Sequence, residues 1–101
     1  MELDKVIHQP ARLKIMMILS GTEQADFKFL LNTLALTRGN LSRHIEKLES
    51  AGYLEVRKTF NGKVPSTSYR ITSGGLNALS RYWENLDAVR KLGGTEDKSS
   101  Q

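Results

Sequence analysis

The chain contains no cysteine. That removes disulfide frameworks, thiolate metal centres, iron–sulfur clusters and cysteine nucleophiles together, and it fits a reducing cytosol. Histidine is scarce as well: His8 and His44 are the only two, and His44, at the edge of an apolar arc, reads as a packing or phosphate-contacting side chain rather than a ligand. No metal and no other cofactor is expected. Long hydrophobic runs are missing. The stretch from Ile15 to Leu19 falls far short of the roughly 20 apolar residues of a membrane span, and the mixed charges Glu2, Asp4, Lys5, Arg12 and Lys14 before it are unlike the basic head of a signal peptide. Membrane insertion and export are therefore not expected. There is no glycine-rich phosphate loop, and Glu46, Glu49 and Glu55 have no base or nucleophile placed beside them, so nothing points to catalysis.

What is present fits one domain of modest core, one that gains from a partner subunit. The net charge of +4 is concentrated: between residues 37 and 72 stand Arg38, Arg43, Lys47, Arg57, Lys58, Lys63 and Arg70 against Glu46, Glu49 and Glu55, while the rest of the chain is balanced. Such a localised excess suits a polyanionic partner.

Hydrophobic spacing divides the chain into elements. Val6, Ile7, Leu13, Ile15, Ile18 and Leu19 predict a helix starting near Pro10 and stopping at Ser20-Gly21. A polar loop over 21–26 follows, then a short helix carrying Phe27, Leu30, Leu31 and Leu34. Thr37 is a suitable N-cap for a third helix, roughly Arg38 to Ala51, whose Leu41, Ile45 and Leu48 fall on one face and whose end is marked by Gly52. Two helices so close together, the second with a single apolar stripe, make a helix-turn-helix. From Tyr53 the period becomes alternating, Asn61-Gly62 signals a reversal, and a second extended run, Ser66 to Ile71, follows Pro65, giving a hairpin with the loop Asn61 to Val64 at its tip. Thr72 then caps a last helix with Leu76, Leu79, Tyr82 or Trp83, Leu86 and Val89 as its stripe. The fold class expected is mostly α with a small β-hairpin: one domain over residues 1–92 and a polar, disordered tail over 93–101.

The stretch Thr37 to Leu54, TRGNLSRHIEKLESAGYL, resembles the recognition helix and first wing strand of the MarR and ArsR winged-helix regulators, in Ser42-Arg43-His44, Leu48-Glu49 and Ala51-Gly52-Tyr53-Leu54. Gly62-Lys63, Pro65, Thr67, Tyr69, Ile71-Thr72 and Gly75 are similar to the wing and wing-to-helix junction of small stand-alone relatives of those families. The resemblance implies a winged helix-turn-helix with a C-terminal dimerisation helix, a cytoplasmic, nucleoid-associated homodimer that binds double-stranded DNA and regulates transcription, more often by repression. The metal-sensing cysteine motif of ArsR proteins is absent, and so is the extra length with which MarR proteins dimerise and build a ligand pocket; a small-molecule effector has no support in the residues.

Within that frame the N-terminal half of the third helix reads base edges in the major groove while its surroundings grip phosphates, and the wing, with Lys58, Lys63 and Arg57, lies on the backbone or in the adjacent minor groove. The candidate DNA-binding residues are Arg38, Gly39, Asn40, Ser42, Arg43 and Lys47 on the helix, and Lys58 and Lys63 on the wing. Arginine can engage guanine and asparagine adenine in bidentate fashion, and Gly39 allows close backbone approach. The surplus apolar residues of the termini, Leu3, Val6 and Ile7 with Leu79, Tyr82, Trp83, Leu86 and Val89, are the candidate dimer interface, the aromatic ones alternatively lining a ligand cleft between subunits. Phe60 and Tyr69 are expected to pack within the hairpin, which leaves no stacking platform for single-stranded RNA. An alternative of a different class, a winged helix serving as a protein-interaction module through Glu46 and Glu49, stays open at this point.

Overall fold

The computed structural model describes residues 2–93; apart from Gly93, the tail expected over 93–101 lies outside them. Four helices and three strands follow in the order α1 (Pro10–Ser20), β1 (Ala25–Asp26), α2 (Phe27–Leu34), α3 (Arg38–Ser50), β2 (Leu54–Asn61), β3 (Val64–Ile71) and α4 (Ser73–Leu92). This is the winged-helix fold, with α2 and α3 as the helix-turn-helix and β2–β3 as the wing.

Local chemistry sets most of the boundaries. Pro10 opens α1, where its missing N–H costs nothing, and the Gln9 side chain caps the Arg12 amide. Asp26, Thr37 and Thr72 each accept the amide three residues on, at the starts of α2, α3 and α4. Helix α3 closes in a Schellman arrangement: the Tyr53 N–H reaches the Leu48 carbonyl at 3.0 Å and the Gly52 N–H reaches that of Glu49 at 2.9 Å, with Gly52 at φ 81°. At the wing tip Asn61 and Val64 are the last ladder pair, so the reversal is made by Gly62 and Lys63 alone rather than by the four-residue loop expected. Gly62 has φ 71° and Lys63 does not share its positive value, the pattern of a type II′ turn.

The sheet differs from the two-stranded hairpin expected. Strand β1, read from the sequence as loop, pairs antiparallel with β3 through Ala25–Tyr69 and Asp26–Ser68, so β3 is the central strand. Pro65 is tolerated in that strand because β1 stops short of it.

Ile7, Ile15, Met16, Leu19, Leu30, Leu41 and Leu48 are fully enclosed, with Leu54, Tyr69, Leu79 and Tyr82 around them. The N-terminal segment is tied into this body. Asp4 accepts the amides of Val6 and Ile7 and the hydroxyl of Tyr53, and the Tyr53 hydroxyl is pushed up to about 12, first by burial and then by that carboxylate. The Arg12 guanidinium donates to the Val6 carbonyl, and the His8 ring nitrogen Nδ1 lies 2.8 Å from the Tyr82 hydroxyl. Ile7, Leu79 and Tyr82, expected at a dimer interface, are therefore part of the chain's own core. The physical reason is that the N-terminal turn folds back on α4 instead of projecting from it.

Candidate nucleic-acid interface

Helix α3 turns Leu41, Ile45 and Leu48 into the core. The helical period then forces Arg38, Gly39, Asn40, Ser42, Arg43 and Lys47 outward, and all six are exposed. Among the described residues none of Asn40, Ser42, Arg43 and Lys47 engages its side chain in a hydrogen bond or ion pair. Lys58 and Lys63 on the wing are likewise exposed and unpaired. Arg57 shares that state, whereas Arg70 is engaged across the ladder with Glu55 at 3.3 Å. Uncompensated cations on a small body produce a positive field that attracts a polyanion.

The arrangement is ordered from one end of α3 to the other. Near its N-terminus the Arg38 guanidinium lies 5.6 Å from the centroid of the Phe27 ring, a cation–π contact that holds the side chain at the helix end. Arg38, Phe27 and Lys28 share an open groove with Pro65, Ser66 and Thr67 of the wing. Further along, Ser42, Glu46 and Glu49 face Val56, Lys58 and Tyr69 across a second groove. The wing thus runs beside α3 with its tip toward the N-terminal end, so that end of the helix and the protruding hairpin open on one side. Lys28, at the start of α2, joins the site although no sequence signal distinguished it; only the packing of α2 against the N-terminus of α3 brings it there. Tyr69 is buried as expected, but Phe60 is not: it is 74% exposed, since the hairpin continues past the last part of α3 that could cover it.

His44 records the local field. The Arg12 guanidinium donates to its Nδ1 at 3.2 Å, which requires the neutral ring. Burial lowers the His44 pKa from its ordinary value, and the charges of Arg12, Arg43 and Lys47 lower it further. Opposite, burial and then the Glu49 carboxylate raise the Tyr69 pKa, so the C-terminal half of the groove carries negative charge. The positive end and the N–H-rich start of α3 coincide, which suits phosphate there.

The candidate dimer residues separate by exposure. Leu3, Val6 and Leu86 are half-buried against the core, while Trp83 is 39% and Val89 41% exposed. Val89 lies within the same arc of about 100° as Ala78, Tyr82 and Leu86; it is bare because the body ends before it.

Comparison with known proteins agrees with this geometry. Residues 11–89 match the family model described as a winged helix DNA-binding domain. An uncharacterized protein of Methanocaldococcus jannaschii is 38% identical over 79 residues, which cover 77% of this chain and 85% of that one. The structure of a transcriptional regulator homologue from Pyrococcus horikoshii superposes with a TM-score of 0.79 at 34% identity, over 85% of each chain. A mutant MarR from E. coli, solved in complex with operator DNA, shares the fold at a TM-score of 0.65 and 22% identity, over 73% of this chain and 52% of that one. Among the described residues no helix is long and apolar enough to cross a membrane. The chain belongs to the winged helix DNA-binding domain family, a family of transcription regulators rather than enzymes.

Proposed function

We propose that this protein is a cytoplasmic homodimer that binds an operator in double-stranded DNA and represses transcription. The observation that carries the reading is the side-chain state of α3: among the described residues Asn40, Ser42 and Arg43 are exposed, unpaired and in the N-terminal half of the helix, toward which the cationic wing tip points, and Lys47, equally exposed and unpaired, follows one turn further on. Arg43 and Asn40 read base edges, Ser42 a base or a phosphate, and Lys47, Lys58 and Lys63 hold the backbone. The E. coli MarR and Bacillus subtilis PadR structures of the same fold contain operator DNA, which supports this use of the scaffold. The uncovered apolar end of α4, with Trp83, Val89 and Leu92 exposed, supports pairing of two copies. A two-fold pair would set its recognition helices about 34 Å apart, one turn of DNA.

Selection of bound duplexes from a random pool tests the whole reading. An inverted repeat with half-sites about one helical turn apart is expected, and Arg43→Ala should cost about 1 to 3 kcal/mol on it while relaxing the preference at one position of each half-site. Enrichment of no sequence, or of single half-sites alone, contradicts the operator-binding homodimer.

A further inference from the structure

The wing tip is apolar as well as basic. Cross-strand pairing runs Leu54–Ile71, Val56–Tyr69, Lys58–Thr67 and Phe60–Pro65, so these side chains share one face of the hairpin, the face that lines the grooves beside α3. Its first two pairs are covered by the body, and the third lines the groove. Of the fourth, Pro65 is exposed at the rim of the first groove while Phe60, 74% exposed, lines neither groove; Val64, on the opposite face, is 65% exposed. Beyond Lys58–Thr67 three ladder pairs and the Gly62-Lys63 turn remain, a projection of about 10 Å. Among the described residues nothing covers this phenylalanine at the end of the ribbon, and burying it elsewhere is favourable.

The charge around it selects the occupant. From Val56 to Tyr69 the sequence has no acidic residue and carries Arg57, Lys58 and Lys63. A surface that is cationic at its rim and apolar at its point matches a phosphate-lined cleft with apolar walls, which is the minor groove, about 6 Å wide and bounded by deoxyribose. Arg38 shares a groove with Pro65 and Ser66, so the tip faces the same way as the base-reading end of α3. A duplex seated on that helix places its adjacent minor groove at the wing.

We propose that Phe60, backed by Pro65 across the ladder, is a minor-groove wedge: it packs on the sugar edges and opens one base step, with Lys58 and Lys63 on the flanking phosphates. This rests on the duplex-binding reading above and adds to it a shape-reading element. Wedges of this kind kink DNA by about 20 to 90°, and pyrimidine–purine steps open most easily. The operator therefore carries such a step where the wing lands, without hydrogen-bond readout of the bases there.

The test uses the duplex that wild-type protein enriches from a random pool, with 2-aminopurine placed in turn at each position outside the recognition-helix contacts. Wild type should raise its fluorescence at one step and bend the duplex in a circular-permutation assay. Phe60→Ala should abolish both effects and weaken binding about tenfold, with the salt slope unchanged because no phosphate contact is lost; Lys63→Ala should flatten the slope by about 1 while keeping the fluorescence change. Phe60→Leu should keep most of the affinity, since bulk rather than an aromatic face makes the wedge. Circular dichroism and melting of Phe60→Ala should match wild type, Phe60 being outside the core. Wild-type-like binding, bend and fluorescence in Phe60→Ala overturn the wedge and leave duplex binding intact; no duplex binding by wild type overturns the reading beneath it. Phe60-dependent binding to oligothymidine in preference to duplex, lost in Phe60→Leu, assigns the tip to single strands, and Phe60-dependent binding to phosphatidylglycerol vesicles without duplex binding assigns it to a membrane surface; either overturns the proposal.

Discussion

The starts of α3 and α4 are built from the same local parts, Thr37-Arg38-Gly39-Asn40 and Thr72-Ser73-Gly74-Gly75. Both threonines cap the amide three residues on, and both first turns contain glycine. Their surroundings are opposite. The start of α4 is closed by the α3–β2 junction: the Thr72 hydroxyl donates to the Gly52 carbonyl at 2.6 Å, and a Cβ on Gly75 would come within 2.3 Å of the Tyr53 carbonyl oxygen and 2.8 Å of Ile71 Cγ1. The start of α3 is open, and a Cβ on Gly39 would meet nothing within 4 Å. One capped turn locks the wing to the last helix, while the other faces open space. Capping chemistry alone does not separate structure from function; what stands opposite the cap does.

Alanine in the two glycine positions should break the symmetry most sharply. Gly75→Ala forces a backbone carbonyl to move, an overpacking that should cost about 3 kcal/mol and be visible as a lower denaturant midpoint. Gly39→Ala should cost nothing and should add a few tenths of a kcal/mol from helix propensity, yet weaken duplex binding by keeping the backbone from a phosphate. Equal stability losses at the two sites would erase the contrast.

The caps themselves should differ less. Thr72→Ala loses both the cap and the bond to Gly52, for about 2 kcal/mol, whereas Thr37→Ala loses an exposed cap alone, for about 1 kcal/mol. Denaturant unfolding of both variants checks the order.

The charges near the two helices give the smallest effect. His44 on α3 has a folded pKa below its unfolded value of 6.5, by burial and by Arg12, Arg43 and Lys47. The unfolded chain therefore binds the extra proton first, so stability is full above about pH 6.5 and declines as pH falls from there through the folded value. A His44→Gln variant should show a shallower fall in melting temperature between about pH 7 and about pH 5; an identical fall excludes His44 as its source.

The elements whose limits depend on neighbouring residues were legible in the sequence. Pro10, Thr37, Gly52 and Thr72 act on amides and carbonyls within a few positions, and the ends of α1, α3 and α4 follow from them. Strand β1 was not legible, because two residues become a strand only through Tyr69 and Ser68, more than forty positions away. Exposure along the stripes was legible only in part. Alternation correctly assigns Phe60 to the face of Leu54 and Val56, and periodicity assigns Val89 to that of Tyr82. Neither can say where the body that covers the face ends, and so Phe60 reads as a packer and Tyr82 as an interface residue. The candidate site was legible on α3, where one helix determines which residues point out, and less so at Lys28, whose place depends on the packing of two helices.

The central claim is that α3 and the wing form one duplex-binding surface, and it is tested most directly by measuring wild-type and Lys58→Ala/Lys63→Ala binding to duplex DNA as a function of salt. Binding that falls steeply with salt, at about 0.9 in log K per phosphate contact, and a slope flatter by about 1 for each lysine removed, is the predicted result. Wild-type binding that is absent at low salt, or a slope untouched by the loss of both lysines, would contradict it.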